Sequence, residues 1–100
     1  MTLRITRDDD RAPAVTLRLE GRLVGASAAL LARECSILRG AVAVDLAGVV
    51  VVDRFAVEVL KRLHRSGVAI RGCSDLIASI LEVEGVRVER DDGATGEAAN

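Results

Sequence analysis

Apolar and polar positions along the chain change period several times, and each change marks an element. Leu3-Arg4-Ile5-Thr6 alternates at period two and predicts a short strand; Val15-Thr16-Leu17-Arg18-Leu19 alternates again and predicts a second. The polar stretch from Asp8-Asp9-Asp10 to Pro13 between them reads as a turn, so the two strands form a hairpin. Gly21 and Gly25 bracket the next segment. Ser27 then reads as the N-cap of a helix running to about Leu38 and closed by Arg39-Gly40. On that helix Leu31, Cys35 and Leu38 share one face, Leu30 and Ile37 an adjacent one, and Glu34 projects between them.

Val42 to Leu46, interrupted only by Asp45, reads as a central strand covered on both faces. A short apolar link follows, and Asp53 caps a second helix from Arg54 to about Ser66, with Gly67 just beyond its end. Ala56, Val59, Leu60 and Leu63 form its apolar side, and Arg54, Glu58, Lys61 and Arg65 its polar side. Phe55 lies at the border, flanked by Val59 and Arg62. Val68 to Arg71 predicts another strand. Ser74 caps a third helix with Leu76, Ile77, Ile80 and Leu81 as its apolar face, Gly85 ends it, and Val86 to Glu89 adds an edge strand. The order β-β-α-β-α-β-α-(β) predicts an α/β fold with one mixed sheet of four to five strands and about three helices.

Composition narrows the function more than the fold. Half of the 100 residues are apolar and Phe55 is the single aromatic, so the core must be built from Leu, Val, Ile and Ala. A net charge of −1 gives no general attraction to nucleic acid or anionic membrane. Met1 to Asp10 is charged and alternating, unlike a secretory signal, and no apolar run reaches the ~18–20 residues of a membrane span. Cys35 and Cys73 form no metal-site or Cys-x-x-Cys spacing and sit among apolar neighbours, which reads as two buried thiols in a reducing cytoplasm. His64, the only histidine, has no second histidine beside which to hold a metal. No nucleophile, acid–base pair or phosphate-cradling glycine loop is visible, so neither an enzyme nor a cofactor is expected.

The order of several pieces resembles the STAS domain, the module of bacterial anti-sigma factor antagonists that also occurs in sulfate transporters and in a subunit of lipid-transport ABC systems. The pieces are Val15-Thr16-Leu17-Arg18-Leu19-Glu20-Gly21-Arg22-Leu23, Val44-Asp45-Leu46-Ala47-Gly48-Val49, Val52-Asp53, Val59-Leu60 and Ser66-Gly67-Val68-Ala69-Ile70-Arg71-Gly72. The resemblance spans about Val15 to Gly85 and implies a single STAS-like domain over residues 1–90, with 91–100 as a flexible tail. At the strand-to-helix corner the family pattern is Asp-Ser-Ser/Thr-Gly, with a hydroxyl phosphorylated by a partner kinase. Asp53 matches the Asp, but Arg54 and Phe55 occupy the hydroxyl positions and Ala56 the glycine position. Val24 also stands where family members often carry Asp. The resemblance therefore implies the scaffold without its phosphorylation switch.

Two uses of the corner remain open. The free N–H groups of the second helix, reinforced by Arg54, suit an anion such as a phosphate or nucleotide, although Asp53 occupies one donor and repels anions. Alternatively Arg54 and Phe55, with Arg62, form a constitutive contact for a protein partner, since aromatic and arginine side chains dominate such interfaces. Leu30 and Ile37 are a separate candidate partner or homodimer surface, or else the edge of a wide core stripe. The leading expectation is a cytoplasmic, non-enzymatic regulatory module whose partner is an anti-sigma factor or related signalling assembly. The alternatives are an accessory subunit docking on the ATPase of a lipid-transport ABC system, and a nucleotide or small-ligand sensor.

Overall fold

The computed structural model describes residues 3–8, 15–38 and 41–89. Of the turn expected from Asp8 to Pro13, Asp8 instead ends the first strand, and the rest, with the Arg39-Gly40 helix stop and the 91–100 tail, lies outside the described residues. The elements are β1 (Leu3–Asp8), β2 (Val15–Leu23), α1 (Ala26–Ser36), β3 (Val42–Val52), α2 (Arg54–Arg65), β4 (Ala69–Arg71), α3 (Asp75–Val83) and β5 (Val88–Glu89). The strands form one five-stranded sheet in the order β1-β2-β3-β4-β5. β1 and β2 pair antiparallel as the expected hairpin, and the remaining pairs are parallel.

The connectivity decides where the helices go. Each parallel crossover from β2 to β5 steps in the same direction across the sheet, and right-handed crossovers then place every helix on the same face. Register agrees with this. Leu17, Val44, Ile70 and Val88 form a continuous row on the helix side, of which the first three are buried. One residue along, Arg18, Asp45, Arg71 and Glu89 form a row of alternating charge on the other side. β3 is thus covered by helices on one face, not two as its apolar sequence suggested. Its outward Ala43 is buried because it is small and sits between Thr16 and Ala69 in the register.

The strongest departure from the expected pattern is the length of β3. The apolar stretch after Leu46 is not a link but strand, continuing to Val52. Its pairing with β2 slips twice, between Arg18/Glu20 and Gly21/Arg22, and each slip leaves one extra β3 residue. Such bulges re-aim the side chains beyond them. Val49 is buried, while Val50 and Val51 are exposed. Gly48 makes the first bulge possible: a Cβ there would lie 2.8 Å from both the Leu19 carbonyl oxygen and Glu20 Cγ.

Two helix assignments are corrected. The N-cap of α1 is Gly25 (φ 48°), not Ser27, which lies inside the helix. The Ser27 hydroxyl accepts from the Val24 N–H at 2.9 Å and lies 2.9 Å and 2.8 Å from the Arg22 and Val24 carbonyls, to which it can donate. It therefore latches the strand end to the helix. On α3, Ile77 and Leu81 are buried, but Leu76 and Ile80 are exposed. The short β5 beside this nine-residue helix leaves little sheet for a wider apolar face to cover. Ser74 caps α3 through the Ile77 N–H, and Gly67 and Gly85 adopt positive φ after α2 and α3 as expected.

The bulge at Gly48 gives a direct test. Gly48→Ala should destabilise the chain by about 1–3 kcal/mol, because the opposing atom is backbone and cannot rotate away. Chemical denaturation of the two proteins measures the difference.

Candidate functional site

The ends of β2 and β3 lead into the starts of α1 and α2, and one side chain joins both. Asp53 has extended backbone geometry and caps α2: its Oδ1 accepts the Ala56 N–H at 2.8 Å. Its Oδ2 accepts the Gly25 N–H at 3.0 Å, 28 residues away in sequence. One carboxylate thus satisfies a free donor of α2 and the N-cap amide of α1, where glycine supplies no capping side chain of its own. Both bonds are charge-assisted, and the negative charge sits at the positive end of the α2 dipole.

Three apolar residues within three positions of this carboxylate in the chain are exposed. Val50 is 75% exposed and Phe55 50% exposed, with Val51 also open. Val50 and Val51 precede Asp53 in the chain and Phe55 follows it, so exposed apolar side chains lie on both sides of the cap in sequence. Phe55 and Arg62, seven residues apart, lie about 20° apart around α2, and Arg62 is exposed.

Arg54 points elsewhere. It lies about 100° around the helix from Phe55, and its guanidinium pairs with Glu58 at 2.9 Å and with Glu84, at the end of α3, at 3.0 Å. Lys61 completes a ring, 3.3 Å from Glu84 and 3.7 Å from Glu58. Hydrogen bonds from Arg54 and Lys61 hold the Glu84 carboxyl below the ordinary glutamate range, and the bond to Glu84 raises Arg54 further. The polar stripe of α2 is therefore partly a dock for α3. The expected run of Arg54, Glu58, Lys61 and Arg65 contained three of the ring's members; Glu84 was not foreseen.

The six candidate residues fall into separate places. Asp53 holds the corner, Phe55 and Arg62 share one flank of α2, and Arg54 turns to the flank beside α3. Leu30 and Ile37 line a groove of about 320 Å³ between α1 and the first two strands, to which α2 contributes nothing. Gly25, Val50 and Val51 belong to the corner and were not singled out from sequence. No local signal marks Gly25 as a partner of Asp53, and the valines read as linker.

Chemical reactivity is low at the remaining candidates. Burial pushes both Cys35 and Cys73 up to about 11, so both thiols stay protonated at neutral pH. Cys35 is buried as expected, whereas Cys73 is half-buried and feels the charge of Asp45 as well as apolar neighbours. His64 Nε2 accepts the Arg87 N–H at 3.4 Å. Among the described residues, no three His, Cys, Asp or Glu side chains gather as metal ligands, and no helix is long and apolar enough to cross a membrane. Ser27 is buried and its hydroxyl is bonded internally.

No family model and no curated protein matches the sequence. Solved structures do match. The anti-sigma factor antagonist SpoIIAA in its unphosphorylated form superposes with a TM-score of 0.75 at 11% identity, over 96% of each chain. The Bacillus cell fate determinant SpoIIAA in the phosphorylated form gives a TM-score of 0.71 at 12% identity, over 95% of this chain and 99% of the other. The murine Solute Carrier 26 family member A9 anion transporter, in its inward-facing state, gives 0.64 at 11% identity, over 99% of this chain but 22% of the transporter. The chain thus has the STAS-like fold, with its mixed five-stranded sheet and three helices.

Two outcomes test this geometry. Asp53→Ala removes a cap and strands the Gly25 amide, and should cost about 2–4 kcal/mol; Asp53→Asn, which keeps one acceptor oxygen, should cost roughly half. Thermal unfolding of the three proteins measures both. For the ion-pair ring, the folded-state value of Glu84 is lowered from 4.5, so its stabilisation is full above that value and is lost as pH falls through the lower folded value. The stability difference between the wild type and Glu84→Gln should be constant near neutrality and vanish in acid.

Proposed function

We propose that this chain is a non-enzymatic regulatory module that binds a protein partner through the α2 corner, and that it does so constitutively in the cytoplasm. The observation that carries the proposal is the exposure of Val50, Val51 and Phe55, all within three residues of a carboxylate whose two oxygens each accept a backbone N–H. SpoIIAA, which shares the fold, is an anti-sigma factor antagonist with phosphorylated and unphosphorylated forms. An anti-sigma factor or a related signalling assembly is accordingly the favoured partner class.

Control works differently at this corner. Where a relative carries hydroxyls, added phosphate brings charge and repels a partner. Arg54 and Phe55 accept no phosphate, and the Ser27 hydroxyl is committed inside the fold. Occupancy then follows abundance and competition. Anion binding at the α2 N-terminus is disfavoured because Asp53 already fills it with negative charge.

A second reading has one observation in its favour: an anion transporter contains this fold as a small share of its length. The module would then dock on a transport assembly, such as the ATPase of a lipid-transport ABC system, through the same corner.

Affinity capture with the wild type, Phe55→Ala and Arg62→Glu tests the surface, with mass spectrometry identifying what each retains. The captured partner should be a sigma-regulatory or signalling protein, its binding weakened by at least about tenfold in Phe55→Ala, as for a hot-spot aromatic. Equal retention by all three proteins would sink the corner as the contact. Recovery of a permease or ATPase would favour the transport reading. Incubation with a STAS-directed anti-sigma kinase and ATP should leave the mass unchanged; phosphate on Ser66 or Ser74 would show that the switch had moved.

A further inference from the structure

β1 is the outer strand of the sheet: β2 pairs with one of its edges, and among the described residues no strand pairs with the other. An outer strand of six residues presents a row of backbone donors and acceptors that can template pairing with another chain. The register with β2 fixes its two faces. Leu3, Ile5 and Arg7 stand opposite Gly21, Leu19 and Leu17 on the helix side, while Arg4, Thr6 and Asp8 stand opposite Glu20, Arg18 and Thr16 on the open side.

Above the helix-side face lies the groove lined by Ile5, Leu17, Leu30, Glu34, Ile37 and Leu38. On its outer wall Leu30 is 44% and Ile37 67% exposed, with Glu34 between them and Arg7 of β1 also lining the groove. The edge and the groove border one another along the whole of β1, so whatever extends the sheet there also covers the groove.

We propose that the occupant is a second copy of this chain, joined about a two-fold axis by antiparallel pairing of β1 with the partner's β1, centred on Thr6. Residues directly opposite in an antiparallel pair point to the same face, so a two-fold axis must pass through a residue position and not between two. Centring on Arg4 sets two arginines against each other. Centring on Ile5 sets Arg4 against the partner's Thr6 and leaves Asp8 outside the pairing. Centring on Thr6 sets Arg4 against the partner's Asp8, and symmetry makes this pair twice. The spacing Arg4-x-Thr6-x-Asp8 is therefore self-complementary in one register. Charges already alternate across this face, with Arg18 3.1 Å from Asp8 and Arg4 3.8 Å from Glu20, and the second copy continues that alternation. On the other face the two α1 helices flank the joined strands, and Leu30 and Ile37 close over the merged groove.

Charge exchange between the two positions tests the register. Sedimentation equilibrium on the full chain should show a dimer at high concentration. Arg4→Asp alone, or Asp8→Arg alone, sets like charges opposite one another and should weaken self-association about tenfold or more. An equimolar mixture of the two variants restores opposite charges at both positions and should re-form a mixed dimer. Circular dichroism confirms that each variant is folded. Should either β1 variant unfold, Ile37→Asp, at an open helix position, must weaken the dimer comparably. A wild type that stays monomeric at millimolar concentration overturns the proposal. So does a dimer indifferent to the folded variants, or a mixture that fails to associate. The surface is distinct from the α2 corner, so Phe55→Ala should leave the dimer intact, and either proposal can fail without the other.

Discussion

The architecture of the corner between α1 and α2 depends on one carboxylate accepting two backbone N–H groups from different helices. A helix start leaves donors with no partner of their own, and this fold brings the starts of α1 and α2 together where β2 and β3 end. Gly25 begins α1 without a side chain and Asp53 serves both helices, through Ala56 on one side and Gly25 on the other. Without it, an amide at the crossing of two strands and two helices would lack its protein partner.

This constraint bears on function. This carboxylate accepts, at each of its oxygens, a backbone N–H from a different helix start. It holds still the backbone from which Val50, Val51 and Phe55 project. The two bulges in β3 matter for the same reason, because they turn what would be a buried alternating strand into one that ends with two valines in the open. Ser27, whose hydroxyl spans Arg22, Val24 and its own helix, tightens the neighbouring turn. The corner therefore joins two helix starts through one charge, with exposed apolar side chains on the residues before and after it.

Much of this fold was legible from local pattern. Period-two alternation gave β1 and β2, the Asp53 and Ser74 caps gave α2 and α3, and the glycines after those helices gave their ends. These signals are local, and local sequence carries them whole. What escaped depends on contacts between distant segments. Val49-Val50-Val51-Val52 has no alternation, so nothing in it distinguishes a twice-bulged strand from a linker; only pairing with Gly21 and Arg22 does. Ser27 has the residue type of a cap, but Gly25 starts the helix and the serine bonds backward. Arg54 reads as an anion or partner contact at the corner, yet Glu84, 30 residues away, draws it towards α3. The apolar run of β3 suggested two covered faces, whereas the one-directional strand order puts all three helices on one.

Amide hydrogen exchange at Gly25 and Ala56 examines the central interaction most directly, because each of these N–H groups has an Asp53 oxygen as its acceptor. Both amides should be protected in the wild type and open with the same free energy, and both should lose protection together in Asp53→Ala while the β3 amides keep theirs. Rapid exchange at Gly25 in the wild type, or protection at Gly25 that survives removal of the carboxylate, would contradict a corner held by Asp53.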